Sequence, residues 1–263
     1  MGMVTLITGA STGIGAEFAR QFAARGHDLV VVARSADKLE SLAAGLREAH
    51  GVDVTVMAMD LSLPTAAGEL WEQTNRLGVE VDVLVNNAGS GTHGDIADTD
   101  PQRLEQEVEL NCRTMVGTTA RYLPQMRARG AGTIINLAST AAFLPLPKMA
   151  VYGASKAFVL SFTEALWSEE RKHGVRVLAV CPGVTDTPFF EAAGEAAVSA
   201  ASLSDSLGLT RTPKQVVDST MRVLSRRKPS FVDGAVNALV WRGLTRVVPT
   251  RLMVAVSGRL VEG

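Results

Sequence analysis

Tyr152-Gly153-Ala154-Ser155-Lys156 places a phenol and an ammonium at i and i+4. On a helix the two side chains share one face. A tyrosine of ordinary pKa, about 10, is a poor base near neutrality. An ammonium one turn away favours the phenolate and makes the phenol usable as a general acid or base. Such spacings are common by chance, but the chain has only two tyrosines, and Tyr122 has no comparable partner. Upstream, Ser139 follows an apolar run. A hydroxyl there can hydrogen-bond a carbonyl and steady the alkoxide that develops from it. Taken singly, Ser139 between Ala138 and Thr140 is an ordinary loop serine.

A second group of residues suits a nucleotide. Gly9, Ser11, Thr12, Gly13, Ile14 and Gly15 fall directly after the first apolar run and open into a helix expected from Ala16. Glycines there allow a sharp turn, close backbone approach to a pyrophosphate, and tight helix–strand packing. The helix N-terminus adds unpaired N–H groups and a positive dipole end. The second run ends in Ala33 and then Arg34, where an NAD site usually places an acid for the ribose hydroxyls. A planar guanidinium suits a 2′-phosphate, so NADP(H) is expected over NAD(H). The plainer reading of Arg34 is a solvated side chain beside a helix start. Asp60, with Leu61, follows the third run, where it either accepts from an adenine amino group or caps a turn with Ser62.

These groups need a scaffold that brings them to one edge. Strands are expected at Met3–Thr8, Asp28–Ala33, Asp53–Met59, Val81–Asn86, Thr133–Leu137, Val175–Cys181 and Ser230–Val232. The first six are near-continuously apolar, as strands covered on both faces are. Helical segments alternate with them: Ser35–His50, Pro101–Arg129 behind a Thr99-Asp100-Pro101 start, Ala150–His173, and one from Thr212-Pro213 to about Arg226. The alternation predicts an α/β fold, a Rossmann-like doubly wound parallel sheet in a single domain over residues 1–263. Residues 186–211, weakly patterned and carrying Phe189-Phe190, are expected to form a substrate loop or lid.

Composition excludes several alternatives. The 26 basic and 27 acidic residues give a net charge of −1, which offers no global attraction to nucleic acid. Two cysteines, Cys112 and Cys181, are too few for a disulfide framework or a zinc site, and a reducing, cytoplasmic setting is expected. No metal is expected. With the first strand expected from Met3, no leader is expected, and no uncharged run approaches the ~20 residues that span a bilayer.

TGASTGIG at 8–15, NNAG at 86–89, Asn111, Ser139, YGASK at 152–156 and PGVTDT at 182–187 together resemble the short-chain dehydrogenase/reductases, over about residues 3–187. The resemblance implies hydride exchange between a nicotinamide and a carbinol carbon, with Tyr152 carrying the proton. It implies that Lys156 binds the nicotinamide ribose and tunes Tyr152, and that Ser139 orients the substrate. Asn111 would hold a water in a proton relay; a helix-interior Asn is a poor helix former and suits a local break. Asn87, Ala88 and Gly89 would line the cofactor, and Pro182, Gly183, Thr185 and Thr187 would pass over the carboxamide. The stretch from Leu29 to Arg47 looks like the NADP-linked branch of fatty-acyl, steroid and carbonyl reductases.

The chain departs from many tetrameric members by running on after Phe231-Val232-Asp233-Gly234. The extension, 234–263, carries Arg242, Arg246, Arg251 and Arg259 against one acid, Glu262. It reads as helices split by Pro249 that fold over the cleft or a neighbouring subunit, in preference to a basic amphipathic segment on a membrane surface. By blocking one axis it leaves a homodimer as the expected assembly. Phe143, Leu144, Leu146, Phe189 and Phe190 are expected to border the cleft, which favours a lipophilic ketone, aldehyde or alcohol. Two classes of function remain: an active oxidoreductase, or an NADP-binding regulator or scaffold that has lost turnover. Intact Ser139, Tyr152, Lys156 and Asn111 favour the enzyme, because fold alone does not decide function.

Overall fold

Seven strands form one sheet: β1 (Val4–Thr8), β2 (Asp28–Ala33), β3 (Val54–Ala58), β4 (Val83–Asn86), β5 (Gly132–Leu137), β6 (Val175–Cys181) and β7 (Ser230–Val232). The order is β3-β2-β1-β4-β5-β6-β7, with every neighbouring pair parallel. The computed structural model describes residues 2–194, 205, 208–239, 248, 249 and 251–254. Part of the predicted lid (195–204, 206 and 207) and most of the C-terminal extension (240–247, 250 and 255–263) lie outside the described residues.

Alternate strand residues feed two cores. Ile7, Val31, Val85, Ile135 and Val180 pack with α1 (Gly13–Ala23) and α2 (Ala36–His50) on one face. Leu6, Val30, Leu84, Ile134 and Val177 pack with α3 (Ala66–Arg76) on the other. The fully buried Tyr122 belongs to this second core and pairs with the Thr74 hydroxyl at 2.9 Å. Burial pushes its phenol up to about 12. This tyrosine is structural.

The chain order reverses between β1 and β4, which opens a crevice at the carboxyl ends of the central strands. Two devices set its floor. Asn87 donates from Nδ2 to the carbonyls of Thr8 and Gly9, while the Thr8 hydroxyl accepts from the amides of Asn87 and Ala88. Behind them, Asn86 bonds Asn136 at 2.9 Å and Thr118 at 2.8 Å, and Asn136 bonds Thr163 at 3.0 Å. These buried polar groups are paired across two strands and two helices, which fixes one register for the site.

The expected Pro101–Arg129 helix is interrupted. It runs as α4 (Pro101–Val108), a π-helical turn (Glu109–Thr114) and α5 (Met115–Arg129). Asn111 lies inside the turn and makes three side-chain bonds outside the helix, so the widened turn is the cost of presenting it. Helix α1 begins at Gly13 rather than the expected Ala16, which places the glycine loop in its first turn. Further helices among the described residues include α6 (Ala150–Glu170), α7 (Phe189–Ala193), α8 (Pro213–Leu224) and α9 (Ala235–Ala238). Thr212 and Gln215 close a capping box on α8, as Thr212-Pro213 suggested.

Candidate active site

A cleft of about 1220 Å³ runs along the sheet's carboxyl edge. It is larger than the ~300–1,000 Å³ usual for a drug-sized ligand. One end is the loop after β1. Gly9 (φ +66°) and Gly13 (φ +55°) occupy the left-handed region. A Cβ on Gly9 would meet Asn87 Nδ2 at 2.8 Å, and one on Gly13 would meet Thr187 Cγ2 at 2.8 Å. Ser11, Thr12 and Ile14 also border the cleft. Gly15 does not; it packs α1 onto the loop, where a Cβ would sit 2.2 Å from the Gly9 carbonyl oxygen. That close packing fits the helix–strand packing role expected of one of the loop's glycines.

Arg34 borders the cleft at the end of β2, with no acid there. Lys38 joins it from the first turn of α2. The sequence reading passed over Lys38, although i+4 from Arg34 was the available signal. A cation opposes the dipole at a helix start, which makes sense where an anion is to be received. Asp60 and Leu61 border the same end. Burial works against the Asp60 charge, but the amide and hydroxyl of Ser62, with Arg34, hold its carboxyl below the ordinary value. Asp60 caps the Ser62 turn and also borders the cleft.

The middle of the cleft gathers Asn87, Ala88, Gly89, Ser139, Tyr152, Lys156, Pro182, Gly183, Thr185 and Thr187. Ser139 reaches it because β5 ends at Leu137, and its hydroxyl accepts from the Ala141 amide at 3.1 Å. Tyr152 and Lys156 lie on the first turns of α6, with the Lys156 ammonium 5.7 Å from the phenol ring centre. Lys156 donates to the Leu137 carbonyl at 2.8 Å. Asn111 stands behind this row rather than in the cleft. Its Nδ2 donates to the Ser90 carbonyl (2.9 Å) and Ser155 Oγ (3.0 Å), and its Oδ1 accepts from the Ser90 amide (3.0 Å). Gly89 is the spacer: a Cβ there would lie 3.1 Å from Asn111 Oδ1 and 3.3 Å from Lys156 Nζ.

The electrostatics differ from the simple expectation that Lys156 lowers the Tyr152 pKa. Burial pushes the phenol up to about 12, the Ser139 hydroxyl works against that rise, and Glu107 adds to it. Burial also brings the Lys156 ammonium down to about 8, opposed by Cys112, Glu107 and Cys181. The resting phenol therefore holds its proton.

The far end is apolar. Leu144, Leu146, Met149, Phe189 and Phe190 border it, with Val248, Leu252 and Met253 from the C-terminal extension. Phe143, expected here, turns away into the cluster around Val159 and Leu160, because the 3-10 turn Thr140–Phe143 points it at α6. Tyr152 rests against Phe189, ring centres 5.3 Å apart. Glu107, also missed from sequence, borders the same end. Its signal was a stripe of Glu107, Asn111, Thr114 and Thr118 at helical spacing, all buried. Among the described residues no group of His, Cys, Asp and Glu is placed to hold a metal, and no helix is long and apolar enough to cross a membrane.

The family model described as short chain dehydrogenase matches residues 3–197. The chain belongs to the short-chain dehydrogenase family of oxidoreductases. A very-long-chain 3-oxoacyl-CoA reductase of Pyrenophora tritici-repentis is 33% identical over 231 residues, covering 86% of this chain and 64% of that protein. The chain thus spans under two thirds of that relative's length. Among solved structures, a short-chain dehydrogenase from Sphingobium yanoikuyae in complex with NADPH is 32% identical, with a TM-score of 0.82, covering 94% of this chain and 96% of that one. A 7β-hydroxysteroid dehydrogenase structure gives a TM-score of 0.87 at 28% identity, covering 97% and 96%. Family membership accounts for the coincidence of the glycine loop, Ser139, Tyr152 and Lys156 on one edge.

Proposed function

We propose that this chain is an NADP(H)-dependent oxidoreductase that interconverts a lipophilic ketone or aldehyde and its alcohol. The observation that carries the reading is one cleft that joins a glycine-loop helix start, a cation pair, the Ser139–Tyr152–Lys156 group and an apolar end. NADPH in the Sphingobium yanoikuyae relative supports the coenzyme. The reductases and dehydrogenases among the relatives support the reaction class.

The residues fit the coenzyme. The glycine loop leaves no Cβ where a pyrophosphate needs backbone amides, and Arg34 with Lys38 matches a 2′-phosphate. Asp60 and Leu61 would hold the adenine, Asn87–Gly89 and Lys156 the nicotinamide ribose, and Pro182–Thr187 the carboxamide. When bound, NADP(H) supplies or takes up the hydride. Ser139 donates to the substrate oxygen and orients it. Tyr152, whose phenol holds its proton at neutral pH, delivers that proton to the oxygen as charge develops. Lys156 keeps a positive charge beside the phenol and favours phenolate once the proton has left. Asn111 fixes the Ser90 loop and, through Ser155, the turn that carries Tyr152.

The test is NADPH oxidation against a panel of lipophilic ketones, read across pH. Reduction needs the Tyr152 phenol and the Lys156 ammonium. With these at about 12 and about 8, kcat/KM is expected to stay level below neutrality and to fall as pH rises through about 8. A rate that climbs steadily from about pH 7 to 10 would mean that the charge assignment is wrong.

We further propose a homodimer built on the outer faces of α4, α5 and α6. Phe158 is 44% exposed on α6, stacked on Phe162, and Val108 is 46% exposed on α4. Light scattering at micromolar concentration is expected to give twice the chain mass; a monomer or tetramer mass would contradict this assembly.

A further inference from the structure

Glu107 is 1% exposed, and neither carboxyl oxygen makes a hydrogen bond of good geometry. Other buried carboxylates are served differently. Glu170, with no exposure, receives both arms of the Arg127 guanidinium. Asp233 receives Arg211 on one oxygen. Among the buried carboxylates of the described residues only Glu107 has neither oxygen in a hydrogen bond of good geometry, Thr92 being the polar group that approaches it. Leaving buried polar groups unpaired costs stability, and native proteins keep few of them without a use.

Its position suggests the use. Glu107 lies one turn before Asn111 and borders the cleft beside Arg103 and Leu110, at the end walled by Leu144, Met149 and Phe189. It is the carboxyl that the cleft carries next to this apolar wall. We infer that Glu107 is a specificity residue that hydrogen-bonds a hydroxyl of the substrate, remote from the reacting carbonyl. The inference rests on the reading of the cleft as a ketone site and narrows it to hydroxylated lipophilic ketones.

The surrounding charges select that partner. Lys156 on α6 and Arg103 on α4 both bear on Glu107, with Thr92 nearby on the loop after β4 and Cys112 on the π turn. A cationic substrate group would meet those two cations, and an anionic one would meet a carboxyl. A neutral hydroxyl meets neither objection, since it can donate to or accept from the acid. Burial raises the Glu107 pKa despite Thr92, Lys156 and Arg103; a hydroxyl can donate to the carboxylate and can also accept from the acid.

The test uses matched ketone pairs that differ by one hydroxyl several carbons from the carbonyl. Dissociation constants are measured on the NADPH complex, and turnover by NADPH oxidation. The unmodified chain is expected to bind the hydroxylated member on the order of tenfold more tightly, the scale of one buried hydrogen bond. Glu107→Met should abolish that preference in dissociation constant, while any change in turnover that follows from its charge on Tyr152 and Lys156 should be common to both ketones; Glu107→Gln, which keeps a donor and an acceptor, should retain part of the preference. The Met variant should melt no lower than the unmodified chain, because it removes an unpartnered buried carboxyl; if it does not fold, the Gln variant carries the comparison. No preference in the unmodified chain overturns the inference. So does an equal change in dissociation constant for both members, which would make Glu107 a general feature of the cleft wall instead of a partner of the hydroxyl. Binding decides the role of Glu107 and turnover decides the oxidoreductase reading, so each can fail alone.

Discussion

Tyr152→Phe should cut turnover about 10²–10⁴-fold, the usual contribution of a positioned acid or base, while NADPH binding and melting temperature stay close to those of the unmodified chain. The ring is half-buried against Phe189, and phenylalanine keeps that contact. The hydroxyl makes no bond that holds the fold together: α6 is anchored by Asn111 on Ser155 and by Lys156 on Leu137. What is lost is the proton that must reach the substrate oxygen. Ser139→Ala should fall mainly in kcat, because its bond strengthens as charge grows on that oxygen. Lys156→Ala should lose both rate and coenzyme affinity, since the ammonium serves the phenol and the ribose alike. Steady-state kinetics with any accepted ketone, alongside coenzyme titration, separates these outcomes. Unchanged turnover in Tyr152→Phe would sink the acid–base assignment and revive the regulator reading.

The sheet was legible because both of its faces are covered. Runs such as Leu29–Ala33 are apolar throughout, and only buried parallel strands need that. The chemistry at strand ends was legible for a related reason: Gly9, Ser139 and Pro182 each follow directly on a strand, so sequence position alone put them at one edge. Helix interiors were less transparent. An α-helical period run through Pro101–Arg129 hid the π turn, because one inserted residue alters facing without altering composition. Asn111 was expected to suit a local break, and its three bonds, which hold it behind Gly89, show what that break serves. Phe143 was placed by proximity to Leu144, but a single 3-10 turn sends neighbouring side chains to opposite sides. The direction of the Tyr152 shift was not legible either. It depends on how much burial opposes the nearby ammonium, and burial is a property of the assembled cleft.

Coenzyme choice should depend on two side chains, one of which the sequence reading overlooked. Arg34 and Lys38 border the same end of the cleft, and neither forms an ion pair with an acid among the described residues. A 2′-phosphate there meets a planar fork and a point charge, each a charge-assisted bond roughly twice as strong as a neutral one. NADPH is therefore expected to bind more tightly than NADH. Arg34→Asp replaces a partner of the phosphate with a group that repels it and can accept from both hydroxyls of an unphosphorylated ribose. That single change should weaken NADPH on the order of 10²-fold, as loss of a strong charged hydrogen bond does, and should improve NADH. Lys38→Ala should weaken NADPH by a smaller factor and leave NADH unaltered, because its charge acts only on the phosphate. Both effects should shrink as salt is added, since exposed charges are screened within about 10 Å at 0.1 M. Fluorescence titration of the two coenzymes against the three proteins provides the measurement. Equal affinities in the unmodified chain, or a Lys38→Ala variant that loses NADH as readily as NADPH, would remove the phosphate from this end of the cleft.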